Sequence, residues 1–302
     1  MTLVAIGTAS FGKADDAPLR VLREAGVEIR PNTLGRTLDE DETLAHVRDA
    51  DGWIAGAERV TRRVLEGAPQ LRAVARVGVG LDTVDLAAAA ALGVAVSRTP
   101  DAPTGAVAEM TLAALLFLLR GLGPMSAAMR EGRWERVLGS SLEGKRVLIV
   151  GHGRIGRRTG ELVRALGATL LVCDPADPSA MTLEEGLAQA DVVSLHAEGG
   201  QTILDAAAIA RMRAGALLLN SARGELVDET ALRAALDEGR LAGCWLDVFR
   251  EEPYRGPLAG HPKVLATPHA ATFTRECRLR MELEAAHNVL RDLASQPRRG
   301  AP

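Results

Sequence analysis

The chain has 302 residues, 47% of them hydrophobic and 25% charged, with a net charge of −3. That length suggests two domains, each large enough to bury its own core. The near-balanced charge gives no electrostatic reason to expect nucleic acid or an anionic membrane as a partner.

Thirty-three of the 36 basic residues are arginine, and Lys13, Lys145 and Lys263 are the only lysines. Amine-based catalysis therefore has few candidates, while guanidinium recognition of anions has many. A GC-rich coding sequence explains the bias equally well. Cys173, Cys244 and Cys277 lie far apart without a CxxC pair, which excludes the usual zinc spacings and a disulfide framework and fits a reducing cytoplasm. No metal site is expected. The N-terminus lacks a basic segment followed by an apolar stretch, and the longest apolar run, 110–119, is too short to span a bilayer.

Strand-like runs alternate with amphipathic stretches from the start. Residues 2–6 read as a strand, 17–25 as a helix, 27–30 as a strand and 39–48 as a helix. The strand at 52–55, the helix at 61–66 and the strand at 73–77 complete a first series. Such βαβα alternation indicates a parallel sheet with helices on its faces. Residues 104–119 form a nearly all-apolar helix suited to a core or a subunit interface, and 121–142 read as a connecting arm. A second series follows: strands at 146–150, 169–172, 192–195, 216–220 and 243–248 alternate with helices at 155–166, 183–188, 206–212 and 229–238. A long last helix spans 275–294. The boundary between the two series falls near residue 98.

Gly151-His152-Gly153-Arg154-Ile155-Gly156 matches GxGxxG, directly after an apolar strand and at the start of a helix. The next strand ends in Asp174, 18 residues after Gly156, which completes a dinucleotide-binding fingerprint. Gly151 permits the tight turn, Gly153 the approach of the pyrophosphate, and Gly156 close packing of helix on sheet. The pyrophosphate belongs on the helix N-terminus. Asp174 can accept from the ribose hydroxyls and repel a 2′-phosphate, so NAD is expected over NADP, although Arg154, Arg157 and Arg158 nearby soften that discrimination.

Later segments carry the chemistry. The strand at 216–220 ends just before Ser221-Ala222-Arg223, and the strand at 243–248 just before Glu252. His269 lies in LATPHAATF. Since ligands of open parallel sheets bind at the carboxyl ends of strands, Arg223, Glu252 and His269 can converge. The phrases GHGRIG, NSARGELVDE, LDVFREEP and TPH, in that order and spacing, resemble the NAD-dependent D-2-hydroxyacid dehydrogenases along almost the whole chain. This resemblance implies two Rossmann-like doubly wound domains, the cofactor domain (99–274) inserted into a flavodoxin-like substrate domain (1–98 with 275–302).

The implied reaction moves a hydride between C2 of a D-2-hydroxy acid and NAD. His269 is the general acid/base, Glu252 holds its second ring nitrogen, and Arg223 binds the substrate carboxylate and carbonyl oxygen. The resemblance places Asp247 at the nicotinamide carboxamide, adds Thr104, Arg154, Ile155 and Ala222 to the cofactor contacts, and assigns the substrate carboxylate to the loop Gly78-Val79-Gly80. His46, His152, His196, His261 and His287 have no comparable context and read as structural.

The loop Ala197-Glu198-Gly199-Gly200 departs from the family's usual Pro-Leu, and Arg98 and Pro103 replace common asparagines. Within the family, 75–86 and 31–36 look most like the phosphoglycerate dehydrogenase branch, in a short form without a regulatory domain. Val79 replaces the lysine of phosphite dehydrogenases. Arg76 reads either as a reader of a substrate phosphate or second carboxylate or as a solvated strand-end arginine. The expected substrate is D-3-phosphoglycerate or a similar anionic 2-hydroxy acid, and the rival reading is an NAD(H)-sensing, corepressor-like binding module. The apolar helix and the arm through Trp134 match the family's dimerisation region, so a cytoplasmic homodimer is expected. Hinges are expected near 98–101 and 271–274.

Overall fold

Leu3–Ile6, four consecutive buried apolar residues, forms the first strand, β1, in the computed structural model of the protein, which describes residues 1–296. Burial on both faces is what a continuous apolar run provides, and it calls for a parallel sheet covered on both sides. α1 (Ala17–Glu24), β2 (Glu28–Pro31), α2 (Glu40–Val47), β3 (Gly52–Ala55), α3 (Arg62–Glu66) and β4 (Ala73–Arg76) follow. Two elements absent from the sequence reading come next, α4 (Leu86–Ala91) and β5 (Ala95–Arg98). The alanine run of α4 has no polar face to mark a helical period, and β5 is short and incompletely buried. The sheet is parallel throughout with order β2-β1-β3-β4-β5, the flavodoxin-like arrangement. Helix starts are set locally: Asp39 and Glu42 make a reciprocal capping box, and the Thr61 and Asp85 side chains cap the next two helices.

The chain then enters α5 (Pro103–Leu119) and α6 (Leu122–Arg130). The expected arm at 121–142 is thus helical in its first part. Its Gly and Pro content hid this: Pro124 lies in the first turn of α6, where a missing N–H costs nothing, and the bend of 67° between the helices falls at Gly121, whose φ is +59°. No single described helix is long and apolar enough to cross a membrane. β6 (Arg146–Val150), α7 (Arg154–Ala165), β7 (Thr169–Cys173), α8 (Leu183–Gln189), β8 (Val192–Leu195), α9 (Ala206–Arg211), β9 (Ala216–Asn220), α10 (Glu229–Asp237), β10 (Leu241–Leu246) and β11 (Val264–Ala266) build a second parallel sheet of order β11-β10-β9-β8-β6-β7. β11 is a further strand the sequence reading lacked. Its three residues are too few for an alternating pattern to register.

α11 (Arg275–Ser295) returns to the first sheet, with contacts to β3, β4 and β5. Two compact units result. One comprises Met1–Pro103 and the chain from Phe273 on, and the other comprises Thr104–Thr272. The changeovers at 103/104 and 272/273 compare with 98/99 and 274/275 expected from sequence. In the first unit Trp53, Val64, Leu65, Leu71 and Val74 anchor the core. The second has one core on each face of its sheet, around Leu148, Leu195 and Leu218 on one side and Ile149, Val163 and Trp245 on the other. Arg72 and Asp51 are both buried and paired at 3.1 Å, and Arg72 also donates to the carbonyls of Leu293 and Gln296 at the end of α11. That pair fastens the C-terminal helix to the N-terminal sheet.

Candidate active site

In the second unit β7 lies on one side of β6 and β8 on the other, so the strand order reverses at β6 and opens a crevice at its carboxyl end. The GxGxxG turn occupies that point. Gly151 has φ +92°, and a Cβ there would stand 2.6 Å from the Ala197 amide nitrogen. A Cβ on Gly156 would stand 2.0 Å from the Gly151 carbonyl oxygen, whereas at Gly153 the space is open. No side chain caps α7, and Gly153 at its N-cap is exposed. Open space before uncapped amides suits a pyrophosphate.

Asp174, just past β7, accepts from the amides of Ala176 (2.8 Å) and His152 (2.5 Å), and these two bonds hold its carboxyl below the usual range. It is therefore charged at neutral pH. Arg157 donates to the His152 carbonyl and Arg158 pairs with Glu161, so both are engaged locally. On α5 the Thr111 hydroxyl lies 3.5 Å from that of Ser221. Thr104, two turns earlier on the same helix face, has a buried hydroxyl with no partner among the described residues. Such an orphan calls for a ligand acceptor or donor, and with the open glycine turn it fits the dinucleotide that the sequence implies.

Past β9, Asn220 shapes the turn that presents Arg223. Its side chain donates to the Arg223 carbonyl (2.8 Å) and accepts from the Ala222 amide (3.0 Å). Gly224 follows because a Cβ there would stand 1.9 Å from the Phe249 carbonyl carbon. The unusual loop at 197–200 packs here too: a Cβ on Gly199 would meet Glu225 Oε1 at 2.2 Å and Arg223 Cγ at 3.1 Å.

His269 Nδ1 lies 2.8 Å from Glu252 Oε2, and the imidazole is half exposed. The Glu252 hydrogen bond raises the His269 pKa against the opposing pull of burial. Burial alone would push Glu252 up. The bond to His269, the Phe249 amide and the Arg223 charge overcome that and hold it below the usual carboxylate range. Each partner thus favours the charged form of the other, and Arg223 is close enough to act on both.

His269 has φ +51°, the one non-glycine residue in that region among those described. The loop holding it there is built on Asp247. The Asp247 carbonyl accepts from His269 N (2.8 Å), and its carboxylate accepts from Thr267 Oγ1 (2.6 Å), Ala270 N (2.8 Å) and Ala271 N (2.9 Å). Trp245 Nε1 in turn donates to Thr267 Oγ1. Asp247, which the resemblance assigns to the nicotinamide carboxamide, is fully buried with three donors from its own chain, and in the structure it anchors the histidine loop. Asn220 and Thr267 are functional supports that sequence reasoning missed, although both stand inside quoted segments.

In the first unit, Thr99 fastens the loop after β4: Gly78 N donates to Thr99 Oγ1, and Thr99 N to the Gly78 carbonyl. Arg98 donates to the Val79 carbonyl. Among the described residues, the amides of Val79 and Gly80 have no acceptor in the chain. Arg76 donates to the Val77 carbonyl and lies against Gly78. Of the remaining histidines, His196 is half-buried with Nε2 2.9 Å from Ser194 Oγ, desolvation lowers its pKa to about 4 so that it is neutral, and His46 is bound to the Ile6 carbonyl.

Residues 112–271 match the family described as D-isomer specific 2-hydroxyacid dehydrogenase, NAD binding domain. A D-3-phosphoglycerate dehydrogenase of Mycobacterium bovis is 37% identical over 85% of this chain and 52% of its own length, so the chain spans about half the length of the curated relatives it matches. The crystal structure of the TT0316 protein from Thermus thermophilus superposes with a TM-score of 0.89 at 35% identity, covering 100% of both chains. An NAD-dependent formate dehydrogenase from Staphylococcus aureus, solved with NAD, superposes with a TM-score of 0.86 at 26% identity over 99% of this chain and 98% of its own. The chain belongs to the D-isomer specific 2-hydroxyacid dehydrogenase family, and its second unit carries that family's NAD-binding domain.

Proposed function

We propose that this protein interconverts a D-2-hydroxy acid and its 2-keto acid with NAD. The observation that carries the reading is the Glu252–His269 pair, 2.8 Å apart, with His269 on a loop anchored by the buried Asp247 carboxylate. The turn Gly151–Gly156 and Asp174 would hold NAD, which would supply the hydride acceptor for C2 in one direction and, reduced, the hydride donor in the other. The protein's own groups manage the proton and the charge. Glu252 engages Nδ1, which leaves Nε2 of His269 to take the proton of the C2 hydroxyl or return it to the carbonyl oxygen. Arg223 balances the substrate carboxylate and polarises the carbonyl. The first unit serves as the substrate domain, and its loop Gly78-Val79-Gly80 offers two amides able to receive a carboxylate.

D-3-Phosphoglycerate is the first substrate to try, because relatives of that name share 33–37% identity with the chain. The intact proton-transfer pair favours an enzyme over an NAD(H)-sensing module, which needs no acid/base. A homodimer is supported by apolar residues left uncovered on α6 and the segment after it: Met129 is 52% exposed, Trp134 84% and Leu138 101%. Three free cysteines fit a cytoplasmic setting.

The test is loss of NADH absorbance with a panel of 2-keto acids. His269→Ala or Arg223→Ala should lower kcat about 10²-fold or more. Near-wild-type turnover in either variant, or a panel without any substrate, would sink the reading.

A further inference from the structure

The loop Ala197-Glu198-Gly199-Gly200, which departs from the family pattern, carries none of the reacting groups. Strand order shows what it lies between. β8 stands between β6 and β9, so the loop that leaves β8 runs between the glycine turn after β6 and the Arg223 turn after β9. Both neighbours press on it. A Cβ on Gly151 would stand 2.6 Å from the Ala197 amide nitrogen, and one on Gly199 would stand 2.2 Å from Glu225 Oε1 and 3.1 Å from Arg223 Cγ.

The two glycines of this loop meet different needs. Gly200 has φ +116° with open space around it, so the turn itself calls for glycine there. Gly199 lies outside the positive-φ region, in backbone that other residues can adopt. What excludes a side chain at 199 is the room already taken by Arg223 and Glu225. Both backbones are also held in place. The amides of Ile203 and Leu204 donate to the Leu226 carbonyl at 2.9 and 2.8 Å, and Thr202 Oγ1 donates to the Glu225 carbonyl at 3.0 Å. On the other side Asn220 holds the Arg223 carbonyl, and Gly224 is wedged against Phe249. A side chain added at 199 must therefore be accommodated by side chains. Glu225 can swing its carboxylate end away, whereas Arg223 Cγ lies close to its own backbone and moves only with the whole stem.

We propose that Gly199 is a positioning residue: its bare backbone is the seat on which the Arg223 stem rests, and it fixes where the guanidinium meets the substrate carboxylate and carbonyl. Between that seat and the bond from Arg223 Nη1 to the Ala222 carbonyl (2.7 Å), the side chain is held at both ends. This rests on the dehydrogenase reading, in which Arg223 makes those substrate contacts, and adds one residue to its machinery.

The test is Gly199→Ala, assayed by NADH oxidation with the 2-keto acid that the wild-type protein reduces fastest, beginning with hydroxypyruvate and its 3-phosphate ester. A shift of Arg223 by a few tenths of an ångström should lower kcat/KM about fivefold to tenfold, given that misplacement by about 1 Å can cost 10²-fold. The loss should appear both in kcat and in the KM of the keto acid, because Arg223 acts on carbonyl and carboxylate alike. The Kd for NADH, read by fluorescence, should stay within about twofold, since the new methyl points at Arg223 and Glu225 and not at the glycine turn. In an Arg223→Ala background the same substitution should change the residual rate by less than about twofold. Should Gly199→Ala fail to fold, the Gly199→Ala/Glu225→Ala double variant removes the 2.2 Å overlap and keeps the 3.1 Å contact with Arg223, and it should be slower than Glu225→Ala alone.

Wild-type kinetics in Gly199→Ala overturn the proposal. So does a loss carried by the Kd for NADH alone, or an equal loss in the Arg223→Ala background, since either marks a general distortion of the loop. If the wild-type protein reduces no 2-keto acid, the dehydrogenase reading fails and the proposal fails with it. If it reduces one and Gly199→Ala leaves that reaction unchanged, the proposal fails alone.

Discussion

Replacing Asp247 with asparagine isolates the loop that holds His269. The carboxylate is fully buried and receives three hydrogen bonds, from Thr267 Oγ1, Ala270 N and Ala271 N, at 2.6–2.9 Å. Asparagine keeps one oxygen for two of the donors but turns an N–H₂ toward the third. One charge-assisted bond, of about 1.5–3 kcal/mol, is lost, and a buried donor is left unsatisfied at about 1–3 kcal/mol. Together these predict about 3–5 kcal/mol of destabilisation in the second unit, read as a lower urea midpoint.

The catalytic consequence follows from the backbone. His269 sits at φ +51°, a conformation that costs a non-glycine residue roughly 1–2 kcal/mol, and the loop tied to Asp247 keeps it there. With the loop loosened, the imidazole spends less time on Glu252, so kcat should fall by about tenfold or more. Stability within about 0.5 kcal/mol of wild type, together with unchanged kcat, would refute the anchoring argument.

Ketone reduction needs the imidazolium, and the Glu252 hydrogen bond raises the His269 pKa. The kcat/KM for reduction should therefore decline as pH rises through that raised value, and Glu252→Gln should move the decline to lower pH. An unmoved limb would show that Glu252 does not set the histidine. Gly156→Ala puts a Cβ 2.0 Å from the Gly151 carbonyl oxygen; overpacking of this kind costs about 1–3 kcal/mol and should raise the Kd for NADH measured by fluorescence. Arg72→Ala leaves Asp51 buried without the guanidinium that pairs with it at 3.1 Å and removes two bonds to the end of α11. A loss of about 3–5 kcal/mol is expected, with early proteolysis near the C-terminal helix.

The parts of this protein legible in its sequence are those fixed by neighbours along the chain. A run such as RVLIV followed by GHGRIG specifies strand, turn and helix within eleven residues, because a glycine at the turn and apolar burial of the strand are local requirements. The segment NSARG likewise contains both Asn220 and the two backbone groups it bonds. The helix α6 and the short strands β5 and β11 were not legible, since their stability comes from packing rather than from a pattern of their own.

Local sequence accounts for the pair of βα series, the dinucleotide turn with Asp174, and Arg223, Glu252 and His269 as candidates for the chemistry. Tertiary packing accounts for the burial of Asp247 beneath residues 20–24 positions later and for the left-handed conformation of His269 on that anchor. These depend on strands from distant parts of the chain lying side by side. A carboxylate reads the same in sequence whether exposed or buried, and desolvation, which separates an anchor from a surface charge, exists only once the chain has folded.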